Sequence, residues 1–125
     1  MATHLSARDS RISHVLGFAP MTSLTTIQEF QDILDDPIIQ SWDLDLTIPD
    51  LINKKVRYYI GNLDTRVGTK ECFNFVSKLA ETAQENKVRS PNIEMIISPS
   101  IGYKGHGTPP HTFKAGVDWI AGEFI

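Results

Sequence analysis

Cysteine is almost absent from this chain: Cys72 stands alone among 125 residues, which excludes an internal disulfide and a cysteine-built zinc site. No apolar run approaches the roughly 20 residues that crossing a bilayer requires, so no membrane association is expected. Positive charge is not in surplus either. Twelve Lys and Arg stand against fifteen Asp and Glu, a net charge of -3, and the basic side chains are scattered. Nucleic acid, which selects clustered Lys and Arg, is therefore not an expected partner. The opening Met1-Ala2-Thr3-His4-Leu5-Ser6-Ala7-Arg8-Asp9 lacks a basic stretch followed by an apolar core, so it does not resemble a secretion signal. With a lone thiol, the expectation is a reducing, cytoplasmic location. Internal repeats and low-complexity tracts are missing as well.

What remains has the composition of a folded domain, 41% apolar and 22% charged. The length suits one domain rather than two. Three short runs rich in β-branched and aromatic residues predict buried strands: His14 to Ala19, Val56 to Ile60 and Ile93 to Ser98. Between and after them the apolar period becomes helical. Leu24, Ile27, Phe30 and Leu34 make one stripe, and Cys72, Phe73, Val76, Leu79, Ala80 and Ala83 a second. Phe113, Val117, Ile120, Ala121 and Phe124 make a third, entered through Pro109-Pro110. Met1 to about Asp9 is also expected to be helical. Such alternation predicts an α/β fold, with about three parallel strands flanked by helices. Asp35 to Lys55, with Pro37, Trp42, Asp43, Asp45 and Pro49, shows no clean period and is expected to be a packed connector or a small cap.

In an open parallel sheet, ligands bind beyond the carboxyl ends of the strands. Two polar loops fall there. Gly61-Asn62-Leu63-Asp64-Thr65-Arg66-Val67-Gly68 follows the second strand, and Gly102-Tyr103-Lys104-Gly105-His106-Gly107-Thr108 the third. Asp64 and His106 are thereby expected on one rim. A carboxylate that accepts from one imidazole nitrogen fixes the tautomer and stabilises the imidazolium formed when the other nitrogen takes a proton. Histidine suits that exchange near neutral pH. Asp64 could equally cap the turn that Gly61-Asn62 opens. The remaining candidates read as structural. His111 lies near His106, but no further His or Cys has the spacing of a metal site, so neither a metal nor a cofactor is expected. His4 falls on a helix face and His14 at a strand start, Cys72 on an apolar stripe, and Arg66 on the surface. The glycines of the third-strand loop precede no G-K-[ST], so a phosphate loop is not indicated.

These two loops resemble the last two active-site loops of the alpha/beta-hydrolase family, especially its dienelactone-hydrolase-like and prolyl-oligopeptidase-like esterases. Ile60-Gly61-Asn62-Leu63-Asp64-Thr65-Arg66-Val67 is similar to the family's acid loop, Gly105-His106-Gly107 to its histidine loop, and Val117-Asp118-Trp119-Ile120 to its closing helix. Met1 to Asp9 resembles the later part of the helix that follows the nucleophile. The resemblance implies a serine hydrolase acting on a small-molecule ester or similar acyl bond, with Asp64 as acid and His106 as base. The order, acid and then histidine, is that of a hydrolase sheet.

One element of that family's pattern is missing. No G-x-S-x-G occurs, and Ser6, Ser10, Ser13, Ser23, Ser41, Ser77, Ser90, Ser98 and Ser100 all lack the flanking glycines. By position the nucleophile would lie just before Met1. Residues 1–125 are therefore expected to be a partial hydrolase domain, its C-terminal part, whose nucleophile-bearing half lies elsewhere. Without a serine, turnover should fall by on the order of a million-fold. The first strand would also lack its inner neighbour, an apolar edge expected to favour self-association. The alternative is a non-catalytic α/β module that binds a partner or small ligand on the hydrolase scaffold. A flavodoxin-like fold ranks lower, because no phosphate-binding first loop is present.

Overall fold

A computed structural model describes the whole chain, Met1–Ile125. Strands β1 (His14–Phe18), β2 (Lys55–Gly61) and β3 (Ile93–Ser98) form one parallel sheet in the order β1-β2-β3. Helices flank it, and the architecture is α/β. The register aligns Val15 with Val56 and Ile93, and Gly17 with Tyr58 and Met95. Side chains alternate across a strand, so these rows share one face of the sheet. On that face Val15, Val56, Tyr58 and Ile60 join the main core, together with Leu51, Phe75 and Leu79. The other face carries Phe18, Arg57 and Tyr59.

The opening helix α1 (Ala2–Arg8) forms where expected. Its Thr3 hydroxyl lies 2.7 Å from the Tyr58 hydroxyl and gives that buried phenol a partner. Desolvation nonetheless pushes the Tyr58 pKa up to about 12.

The helix α4 (Thr69–Glu85) buries Cys72, Phe75, Leu79 and Ala83. Phe73, assigned to the inner stripe from sequence, is 57% exposed instead. Adjacent residues lie about 100° apart around a helix, so Cys72 and Phe73 cannot both centre on the core. The spacing Cys72–Phe75–Leu79–Ala83 continues the seam and turns Phe73 toward water.

The final helix α5 (Pro110–Gly122) departs further from its predicted face. Thr112 and Gly116 are buried, Trp119 and Ile120 half-buried, and Phe113, Val117 and Phe124 exposed. Close approach decides this: a Cβ on Gly116 would lie 2.5 Å from the Phe18 ring and 3.1 Å from that of Tyr59. The small residues face the sheet, and Phe113 packs at the flank with its ring centre 5.0 Å from that of Phe18.

Between β1 and β2 the predicted stripe Leu24, Ile27, Phe30 and Leu34 does not make an α-helix. Ile27 is buried with extended backbone (φ -88°, ψ 116°), and only a 3-10 segment, Gln28–Ile33, follows. The stretch without a clean period consists of single turns: α2 (Pro37–Gln40), a 3-10 turn (Leu44–Thr47) and α3 (Ile48–Leu51). One-turn helices are too short to repeat a period, so their caps mark them instead. Asp36 accepts from the Ile38 N–H at 2.8 Å, and Asp43 from the Asp45 N–H at 3.0 Å. Ile39 is buried, and Leu44, Ile48 and Leu51 are buried within the main core, so the segment packs into the same core as the sheet and α4. No helix is long and apolar enough to cross a membrane.

Candidate functional site

The loops after β2 and β3 meet at the carboxyl edge of the sheet, because β2 and β3 are paired through Gly61 and Ser98. Their approach is very close. A Cβ on Gly61 would run into Ser100 Oγ and the Gly105 carbonyl, and one on Gly105 (φ +71°) would strike the Leu63 carbonyl. Glycine is required at both positions, at Gly105 also by its left-handed backbone.

This contact brings Asp64 and His106 together. The Nδ1–H of His106 donates to Asp64 Oδ2 at 2.8 Å. The Asp64 side chain is wholly buried, and that of His106 is 42% exposed. The other carboxylate oxygen, Oδ1, accepts the backbone N–H groups of Arg66 at 2.9 Å and Val67 at 3.0 Å. One oxygen of Asp64 thus caps the turn that follows it, at Arg66 and Val67, rather than the turn opened by Gly61-Asn62, and the other accepts the imidazole N–H. Nδ1 is engaged by Asp64, and Nε2 is the ring nitrogen left free of that bond.

Three hydroxyls hold the loops in register, and none was singled out from sequence. Thr69 accepts from the Asp64 N–H at 2.9 Å and donates to the Gly61 carbonyl at 2.7 Å, spanning the acid loop from end to end. Ser100 accepts from the Leu63 N–H at 2.8 Å, while its own N–H donates to Asn62 Oδ1 at 3.0 Å. Thr65 donates both its N–H, at 2.9 Å, and its hydroxyl, at 3.1 Å, to the Lys104 carbonyl. Polar residues flanking the loop glycines were the available signal, but such residues are ordinary in any turn.

Arg66 is a tie rather than a free cation. Its guanidinium pairs with both oxygens of Glu29, at 2.7 and 3.1 Å. A second link, from the Thr26 hydroxyl to the Val67 carbonyl at 3.2 Å, fastens the acid loop to the preceding connection.

His4 and His14 have partners elsewhere. His4 Nε2 is 2.9 Å from the Trp42 carbonyl, and His14 bonds Glu123 at 3.1 Å beside Phe124. His111 is exposed on α5. Cys72 is fully buried, and desolvation, aided by the negative charge of Asp64, pushes its thiol up to about 12.

Trp42, Asp43 and Asp45, considered from sequence as part of a cap, line a separate groove of about 940 Å³. It runs between α1, residues 21–45 and α4, with Leu24, Phe30 and Phe75 along it. Neither Asp64 nor His106 lines it. Against known proteins, no family model, no curated protein and no solved structure matches this chain.

Proposed function

We propose that this chain supplies the acid and the histidine of a serine-hydrolase site acting on small-molecule ester or related acyl bonds, the C-terminal part of an alpha/beta-hydrolase fold. The observation that carries this is the short Nδ1–Oδ2 hydrogen bond between a half-exposed imidazole and a buried carboxylate. Asp64 holds the ring and would stabilise the imidazolium; His106 Nε2 would take the proton of an attacking hydroxyl and return it to the leaving group.

That hydroxyl comes from outside these 125 residues. No G-x-S-x-G is present. At the rim, the hydroxyls of Thr65 and Thr69 donate to loop carbonyls, and Ser100 Oγ accepts the Leu63 N–H. The chain alone should therefore hydrolyse p-nitrophenyl esters no faster than background.

Co-expression with the polypeptide encoded immediately upstream tests the proposal, with p-nitrophenyl acetate as substrate. Hydrolysis that appears with both pieces and is lost in His106→Ala, by on the order of a million-fold in kcat, is the expected result. Activity that survives the substitution removes His106 from the mechanism.

The groove favours a second reading, a non-catalytic module that binds a small apolar ligand. Its volume lies in the range of small-molecule sites. On that reading a ligand titrated into the chain alone would shift amide signals of Leu24, Phe30 and Phe75 and leave those of Asp64 and His106 unmoved.

β1 is an edge strand, paired with β2 alone. We propose that this edge drives self-association of the isolated chain. A concentration-independent monomer by light scattering would refute it.

A further inference from the structure

The backbone is strained at one place beside the dyad. Lys104 adopts the left-handed conformation, φ 54° and ψ 22°, two residues before His106. A side chain with a Cβ pays on the order of 1–2 kcal/mol for that region, and such residues persist only where their surroundings hold them. Here the surroundings are visible. The Lys104 carbonyl receives two hydrogen bonds from one residue of the opposite loop, the N–H of Thr65 at 2.9 Å and its hydroxyl at 3.1 Å. Thr65 follows Asp64 directly in sequence, so the clamp lies one peptide from the acid and two from the base.

The neighbouring contacts between the loops differ in kind. There Gly105 packs against the Leu63 carbonyl, and Ser100 holds the Leu63 N–H, which sets how near the loops come. Close packing of glycine limits distance but fixes no rotation of the chain that follows. Lys104 turns the chain, Gly105 (φ +71°) continues the turn, and the His106 N–H closes it on the Tyr103 carbonyl at 3.1 Å. A change in the Lys104 peptide plane would rotate His106 away from Asp64.

We propose that Thr65 is a positioning residue: by gripping the Lys104 carbonyl it holds the histidine loop in the one conformation that presents His106 Nδ1 to Asp64. The inference rests on the proposed role of that pair, and it adds a requirement the pair alone does not contain. Thr65 need touch no substrate. Its side chain acts only through the loop it holds, which explains why an exposed threonine at a loop tip spends its hydroxyl on a carbonyl that already has one donor.

Imidazole ¹⁵N NMR of the full chain tests this without any turnover. In the parent protein the His106 ring should be fixed as the Nδ1–H tautomer, with a slowly exchanging Nδ1 proton. Thr65→Val keeps the shape and the backbone donor but removes the hydroxyl. It should speed exchange of that proton by about 3- to 10-fold, as loss of one hydrogen bond implies, and admit the second tautomer. Thr65→Ser should restore the parent behaviour. Thr65 is exposed, so Thr65→Val should fold, and an unchanged amide spectrum away from the rim checks this. Should it fail to fold, Thr65→Ala against Thr65→Ser supplies the same comparison.

A His106 ring that stays fixed and protected in Thr65→Val overturns the clamp and leaves the dyad standing. A ring without a fixed tautomer in the parent protein overturns both. A clamp that works, in a protein whose reconstituted hydrolysis ignores His106→Ala, overturns only the proposed function.

Discussion

The loops after β2 and β3 are short and bound to each other through backbone groups. Residues 19–54, the connection between β1 and β2, are held instead by apolar side chains packed against α1 and α4. Carbonyls, amides and glycines set the geometry of the rim, where Leu63, Asp64, Thr65 and Lys104 all contribute main-chain atoms. The connection relies on Ile27, Ile39, Leu44, Ile48 and Leu51, buried one at a time between single turns. Backbone contacts fix a conformation to a fraction of an ångström and tolerate little added volume. Side-chain packing stabilises more but defines direction less sharply. The difference puts the more precise construction where the His106 imidazole meets the Asp64 carboxylate.

The largest losses should come from the layer that both regions lean on. Phe75 is almost fully buried beneath the connection and one helical turn from Cys72, so Phe75→Ala should cost about 3–5 kcal/mol in urea unfolding. Phe30, only partly buried in the connection, should cost less than half of that. Equal losses would mean that the connection is as tightly packed as the core. The same layer sets an alkaline limit. The Cys72 and Tyr58 pKa values are raised to about 12 from 9.0 and 10.0, so above pH 9 the unfolded chain releases these protons first. Stability should therefore be full below pH 9 and fall as pH rises toward 12. A denaturation midpoint that is flat across this window would contradict the burial of both groups.

At the rim, Gly105→Ala should cost about 1–3 kcal/mol, since the left-handed backbone and the Leu63 carbonyl both oppose a methyl group. Its second effect sharpens the contrast between the regions: the His106 Nδ1 proton should lose its protection even where the fold survives. In the connection, Asp43→Ala should cost about 0.5–2 kcal/mol through its lost cap and leave the His106 ring unaffected. Smallest of all is the tie between the regions. Arg66→Gln breaks an ion pair whose Glu29 partner is largely exposed and should cost below about 1 kcal/mol. A larger loss would show that the acid loop depends on the connection for its shape.

Much of the site was legible in the sequence because strand ends are. Short β-branched runs ended by glycine or proline marked β2 and β3, and parallel strands deliver their following loops to one edge. Asp64 and His106 fell there by arithmetic, and the 2.8 Å contact between them followed. The hydroxyls of Thr65, Thr69 and Ser100 were not legible. Each acts on a backbone group of another segment, or of another part of its own loop, and nothing in local composition distinguishes such a threonine from a solvated one.

Helix faces divided along the same line. For α4 the apolar spacing contained the answer, with Phe73 and Phe75 exchanged by the phase of the seam. For α5 it did not, because the helix approaches Phe18 and Tyr59 through Gly116, and a hydrophobic count gives glycine no weight. The chain by itself determined its strands, their parallel alternation with helices and the two loops that carry the acid and the histidine, since those depend on residue type and period along one segment. The tertiary structure alone decided which hydroxyls hold the loops, which side of α5 meets the sheet and how the connection breaks into single turns. Those outcomes depend on the distance between segments remote in sequence, and no local pattern encodes that distance.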